Sequence, residues 1–215
     1  METKDFCEVY YACLDALPFF GGALRDGISK RRLELTEKPF RGRGADLSLL
    51  CEQLLILALK ERKANLTLPL RFEYSEHGKP RLSDYPDIHF NLSHGGDIAV
   101  CAVCGRRVGV DTEPFREGSE AVLRRILTNS EMELYSGSAD KAKEFSRLWT
   151  QKESYIKLIG GDVLMIRTID WNSVNAEWRQ IETASGCICV CTDTPMDVKF
   201  IRLSAKGLVN SRGMM

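Results

Sequence analysis

Asp111 and Glu113 stand two residues apart in Val108-Gly-Val-Asp-Thr-Glu113, a run that reads as a β-strand, so both carboxylates fall on one side of it. Two hard oxygen ligands on a rigid strand suit Mg²⁺, which takes one or two carboxylates together with substrate phosphates and water. Acid-x-acid pairs also arise by chance in 215 residues, and Glu131 with Glu133 is one, read here as part of a helix start. A second constellation lies in Phe145-Ser-Arg-Leu-Trp-Thr-Gln-Lys-Glu-Ser-Tyr-Ile-Lys157. Phe145, Leu148, Trp149, Ile156 and Ile159 form an apolar stripe at helical spacing. Glu153 and Lys157 sit one turn apart at its side, either as a surface ion pair or as an acid and a base aimed into a pocket. The third constellation is Phe90-Asn-Leu-Ser-His-Gly-Gly96, with Gly78-Lys79-Pro80 upstream. It offers an anion a hydroxyl, an imidazole, open backbone amides and a lysine charge. Adjacent Ser93 and His94 do not supply nucleophile–base geometry, and the chain has no G-x-S-x-G elbow.

The elements that must position these residues follow from period and punctuation. Leucines at 49, 50, 54 and 57 mark an amphipathic helix over 46–62, with Asp46 as its cap. Strands are expected at 68–74, 88–92, 98–103 and 108–112, with turns at His77-Gly78-Lys79-Pro80 and His94-Gly95-Gly96-Asp97. The second half offers a helix at 119–127, a capping box of Ser130 with Glu133, and a long helix over 139–159 that stops at Gly160-Gly161. Strands are expected after it at 171–174, 178–183, 187–191 and 198–203. Residues 1–45 mix aromatics (Phe6, Tyr10, Tyr11, Phe19, Phe20) with Lys30, Arg31, Arg32, Arg41 and Arg43 and give no clear period. Each half thus pairs helices with strands, which predicts an α+β fold of two similar lobes meeting near residue 105.

Thirty basic residues balance thirty acidic ones, against the basic bias of a nucleic-acid binder. A local basic pocket for a small polyanion fits this balance. The start, Met1-Glu-Thr-Lys-Asp5, is unlike a secretion signal. The longest apolar stretch, near 54–59, is far short of the ~20 residues that cross a bilayer. A cytoplasmic protein without a membrane span is expected. Of eight cysteines, Cys187, Cys189 and Cys191 alternate along one strand and read as small buried apolar residues. Cys101 and Cys104 form a CxxC inside a strand, which points them to opposite faces. Neither group has zinc spacing.

In combination and in order, Gly-Lys-Pro, Phe-Asn-Leu-Ser-His, Gly-Val-Asp-Thr-Glu and Trp-Thr-Gln-Lys-Glu-Ser-Tyr-Ile-Lys resemble the 4'-phosphopantetheinyl transferases of the larger, surfactin-synthetase-activating type. The resemblance covers about 74–162. It implies two α+β lobes about a pseudo-twofold axis, with coenzyme A between them. The N-terminal lobe, 1–105, would bind coenzyme A phosphates, and the C-terminal lobe, 106–215, would carry metal and catalytic residues. By the same resemblance Asp111, Glu113 and Glu153 match the Mg²⁺ ligands, and Lys157 the lysine near the pyrophosphate. Lys79, Ser93 and His94 match positions that bind coenzyme A phosphates. The family also places a basic residue at the start of the first long helix, where this chain has Leu47. Arg31, Arg32, Arg41 or Arg43 are the candidates to hold the 3'-phosphate instead.

The implied activity is Mg²⁺-dependent transfer of phosphopantetheine from coenzyme A to a serine of an apo acyl or peptidyl carrier protein, by a monomer, releasing adenosine 3',5'-bisphosphate. Glu153 would serve as ligand and general base, and Lys157 would assist the leaving phosphate. Carriers of peptide, polyketide or fatty-acid synthesis all fit. Val122 and Leu123, just after Phe115-Arg116, are either an apolar patch rimmed by Arg124 and Arg125 that docks the carrier or core residues of an amphipathic helix. The rival is a non-catalytic coenzyme A or nucleotide-binding module, which would need Lys79 and His94 but not three converging acids. A different Mg²⁺ phosphotransferase would bring a P-loop or kinase glycine loop, and neither motif occurs.

Overall fold

The computed structural model describes residues 6–14, 24–37, 42–62 and 65–204; Arg41, Phe19 and Phe20 fall outside them. Its first strand, β1 (Phe6–Cys13), runs through the segment that gave no period. Cys7 and Val9 are buried on one face and Tyr10 and Ala12 on the other, and a strand covered on both faces loses its alternation. The basic run opens a short helix, α1 (Lys30–Thr36). The next, α2 (Gly42–Lys60), starts ahead of Asp46 and is buried almost continuously from Leu47 to Leu59. There follow β2 (Phe72–Tyr74), β3 (Pro80–Leu82), β4 (His89–Gly95), β5 (Ile98–Cys104) and β6 (Val108–Pro114). Only the last three residues of the strand expected at 68–74 form one, since Pro69 has no amide proton for a ladder.

The second half carries α3 (Glu120–Ile126), α4 (Asn129–Gly137) and α5 (Lys141–Ile159). A 3₁₀ turn at Val163–Arg167 leads to β7 (Glu177–Glu182), β8 (Gly186–Thr192) and β9 (Asp197–Arg202). The capping box of α4 is Thr128 with Glu131, two residues before the expected pair. Residues 171–174 are not a strand. Trp171 anchors this loop instead: its indole N–H donates to the Ile166 carbonyl (3.2 Å) and its ring meets Tyr155 edge-on at 5.6 Å.

Four strands form one sheet in the order β4-β5-β1-β9 and three form a second, β6-β8-β7. All their pairings are antiparallel except β1 with β9. α2 covers one face of the first sheet, where Leu50, Leu54 and Leu55 meet Tyr10, Ala99, Cys101 and Val103. The opposite face packs Val9, Val100, Ala102 and Cys104 against Val108, Val110, Ile188 and Val190 of the second sheet. α5 lies on the far side of that sheet, with Thr150 and Ser154 against Cys187 and Cys189. The layers are therefore helix, sheet, sheet, helix, in a mixed α+β fold. Cys101 and Cys104 fall in different core clusters, on opposite faces. Cys187, Cys189 and Cys191 are buried free thiols. Among the described residues no helix is long and apolar enough to cross a membrane.

Candidate active site

Two glycines let three elements converge. A side chain at Gly109 on β6 would overlap the Ser154 carbonyl and the Leu158 amide of α5. A side chain at Gly95 would run into the Thr112 carbonyl, so the end of β4 also lies directly against β6. α5 presents Ser146, Thr150 and Ser154 to the sheet, all fully buried small residues at i, i+4 spacing that permit close backbone approach. Asp140 caps its N-terminus and Gly160, at φ 73°, its C-terminus. Phe145, Leu148 and Ile156 build the core of its other side with Trp149 packed on them, whereas Ile159, assigned to that stripe from spacing, is 39% exposed. Strand alternation sends Val108 and Val110 into the intersheet core, leaving Asp111 and Glu113 on the α5 side. Asn91, within Phe-Asn-Leu-Ser-His but given no role from sequence, accepts the Val110 amide at 2.8 Å and ties β4 to β6.

Asp111, Ser93 and Lys157 form one network across β6, β4 and α5. Lys157 Nζ donates to Asp111 Oδ1 at 2.6 Å and to Ser93 Oγ at 2.8 Å, and Ser93 Oγ donates to the same Oδ1 at 2.9 Å. Asp111 Oδ2 is buried without a partner. Glu113 is bonded to Arg116, and burial pushes its carboxyl pKa up despite that arginine. Glu153, half-buried, has no ion pair among the described residues. Desolvation, then the nearby charge of Asp111, raises it from 4.5 to about 7, with Glu113 and Asp162 adding and Lys157 opposing. Asp111 and Glu113 are therefore close enough to Glu153 to disfavour its charge.

The basic residues divide. His94 is exposed, and desolvation followed by the charges of Lys157 and Arg32 lowers its pKa, so the imidazole shares the cationic side of the site. Arg32 is tied to the fully buried Glu52 at 2.7 Å and to Ser48. Arg43 pairs with Asp97. Arg31 has no ion pair among the described residues and lies 3.8 Å over the Tyr74 ring. Leu47 is a core residue, 3% exposed. Lys79 departs from the expectation that its ammonium meets phosphates. That ammonium instead donates to the carbonyls of Val108 (3.0 Å), Leu158 (3.1 Å) and Lys157, clamping the end of α5 to β6. Burial lowers its pKa to about 8. It borders a cavity of about 590 Å³, shared with Arg81, His89, Arg107 and Ile159 but not with Ser93, Asp111 or Glu153. On α3 the apolar patch gives way to the core reading: Leu123 is a core residue with Val122 packed on its cluster, because both face Phe145 and Ile126. Arg124 pairs with Glu120 on the surface.

One residue that sequence reading passed over is Lys152, beside Glu153. It is 1% exposed. Its ammonium sits 2.8 Å from Glu131 and 3.9 Å over the Trp171 ring, joining α4, α5 and the 170s loop. A lysine in a helix gives no sign of burial, and only the aromatic and acid that receive it reveal the site.

A divalent cation fits the donors by type: all-oxygen ligands, an unpartnered buried Asp111 oxygen, and a glutamate whose charge its acidic neighbours disfavour. They are not drawn together on a common point. Among the described residues no group of three His, Cys, Asp or Glu side chains is gathered to hold a metal, and Lys157 and Arg116 occupy Asp111 and Glu113.

Residues 107–204 match the 4'-phosphopantetheinyl transferase superfamily. The chain is 31% identical over 138 residues to the 4'-phosphopantetheinyl transferase Sfp of Bacillus subtilis, covering 62% of this chain and 60% of that protein. It is 33% identical over 133 residues to the 4'-phosphopantetheinyl transferase AcpT of Salmonella typhi, covering 57% and 67%. With the 4'-phosphopantetheinyl transferase HetI of a Nostoc species the identity is 34% over 123 residues, 54% and 52% of the two chains. The chain thus spans about three-fifths of the length of the Bacillus relative, 60%.

Proposed function

The chain belongs to the 4'-phosphopantetheinyl transferase superfamily, and from that premise we propose that it transfers phosphopantetheine from coenzyme A to a serine of an apo acyl or peptidyl carrier protein. The observation that carries this reading is the meeting of Ser93, Asp111 and Lys157 beside Glu153, a carboxyl raised to about 7. A group poised near neutrality suits proton abstraction from a serine hydroxyl. A pure binding module has no need of a buried acid paired with a lysine beside a glutamate poised near neutrality. The helix-sheet-sheet-helix layering supports, in addition, two lobes about a pseudo-twofold axis, dividing near residue 105, with β9 reaching back to the first sheet.

In the mechanism, Glu153 takes the serine proton, the serine oxygen forms a bond to the phosphorus that bears the pantetheine arm, and the anhydride P–O bond breaks. Lys157 donates a hydrogen bond to the departing phosphate oxygen, and adenosine 3',5'-bisphosphate leaves. Asp111, Glu113 and Glu153 would hold Mg²⁺, which supplies neutralisation of pyrophosphate charge. Ser93 and His94 bind phosphate oxygens. Arg31, with no ion pair to give up among the described residues, is assigned to the 3'-phosphate ahead of Arg32 and Arg43. Lys79 is assigned to holding α5 in place.

The test is intact-protein mass spectrometry of apo acyl and peptidyl carriers incubated with the protein, coenzyme A and Mg²⁺. One phosphopantetheine should be gained per carrier, and none with Glu153→Gln. Tight coenzyme A binding by calorimetry with no carrier gaining mass would instead favour the binding-module reading.

A further inference from the structure

Both acids on the α5 side of β6 are held by bases of the chain itself, Asp111 by Lys157 and Glu113 by Arg116. At Asp111 the arrangement is lopsided. Oδ1 receives two donors, Lys157 at 2.6 Å and Ser93 at 2.9 Å, while the buried Oδ2 receives none. A dication brought to this carboxylate would face the Lys157 ammonium across a half-buried site, where like charges are poorly screened. Lysine has a long flexible stem and three donors, so it can leave one anion for another without losing its charge partner. The pyrophosphate of coenzyme A is such an anion. We propose that Lys157 is a displaceable counter-ion of Asp111, latched by Ser93, so that a divalent cation and the pyrophosphate bind interdependently. The inference rests on the transferase reading of the site.

The phosphate draws Lys157 off Asp111 and thereby admits the cation, and by linkage the cation must strengthen coenzyme A binding by the same factor. Ser93 is the informative residue because it is uncharged. Removing Lys157 would favour any cation through bulk charge alone, but in the absence of coenzyme A removing the Ser93 hydroxyl alters only the latch, one bond to Lys157 at 2.8 Å and one to Asp111.

The experiment measures Mn²⁺ binding by the free-ion electron paramagnetic resonance signal, with and without coenzyme A, for the wild type, Lys157→Met and Ser93→Ala. Circular dichroism confirms that each is folded. Without coenzyme A, Lys157→Met should bind Mn²⁺ about tenfold tighter or more, the loss of a charge-assisted bond, and Ser93→Ala roughly two- to tenfold tighter. Coenzyme A should tighten Mn²⁺ binding strongly in the wild type and much less in Lys157→Met. Ser93→Ala binding Mn²⁺ no tighter than the wild type overturns the latch, and so does equal enhancement by coenzyme A in wild type and Lys157→Met. Carrier modification, followed in parallel by mass, keeps the two levels apart. A wild type that modifies carriers while all three proteins bind Mn²⁺ alike loses this inference only. A wild type that modifies none loses the transferase reading as well.

Discussion

Gly109→Ala puts one methyl group where α5 crosses β6. The new carbon would lie 3.0 Å from Leu158 Cα and closer still to the Ser154 carbonyl and Leu158 amide, against about 3.5–4.0 Å for comfortable contact. The atoms in the way are helix backbone, so no rotamer change relieves the overlap, and α5 must retreat by roughly 1 Å. Overpacking of this kind costs about 1–3 kcal/mol. For a domain of this size each kcal/mol lowers the melting temperature by about 2–4 °C. The retreat carries Glu153 and Lys157 with it, stretching the 2.6 Å bond to Asp111 toward ~3.6 Å, beyond hydrogen-bond range. A displacement of that size at a reacting centre costs on the order of a hundredfold in turnover. Calorimetric melting and carrier modification rates should therefore both fall. Gly44→Ala is the control: it lies in α2 with nothing within 4 Å of the added carbon, and should stabilise by about 0.5–1 kcal/mol. A Gly109→Ala protein that melts and turns over like the wild type would refute the claim that this crossing sets the site.

Three further outcomes are expected. Excess EDTA should abolish carrier modification and Mg²⁺ or Mn²⁺ should restore it, with Asp111→Ala slower by a hundredfold or more, on the order of a lost charge-stabilising group; undiminished turnover in EDTA rejects the assignment. Without divalent cations, Glu153 keeps a proton in the fold up to about 7 that the unfolded chain releases near 4.5. Its stabilising contribution is thus full below 4.5 and is lost as pH rises through 7. Glu153→Gln should gain on the wild type across that window by about 1–2 kcal/mol after solvent screening, and denaturant midpoints that differ equally at pH 4 and pH 8 would remove the cause. Lys79→Met strands three carbonyls, so melting should drop by the equivalent of about 1–3 kcal/mol while coenzyme A affinity changes little; a large affinity loss with unchanged melting would return the ammonium to the phosphates.

The shared face of Gly109, Asp111 and Glu113 was legible because period-two alternation is a strong local signal once 108–114 is a strand. Glu153 and Lys157 followed from helical spacing in the same way. What spacing could not give is which atoms those side chains meet. Lys79 read as a phosphate ligand because Gly-Lys-Pro looks like a presented charge, yet its partners are three carbonyls 29 to 79 residues away. Lys152 and Ile159 fail in opposite directions, a charge that is buried and an aliphatic that is exposed, since tertiary contacts rather than residue type decide burial. β1 was unreadable because it is covered on both sides.

The parallel pairing of β1 with β9 has a consequence for how the chain is made. Strand Phe6–Cys13 takes its neighbour from Asp197–Arg202, so nearly the whole chain must be synthesised before the first sheet is complete. At about 5–20 residues per second the ribosome needs roughly 10–40 s for that stretch. Throughout that interval β1 presents an open edge of unpaired amides and carbonyls, the kind of edge that recruits another strand. Truncation before Asp197 would make the interval permanent, and such fragments should self-associate rather than fold into a smaller working lobe.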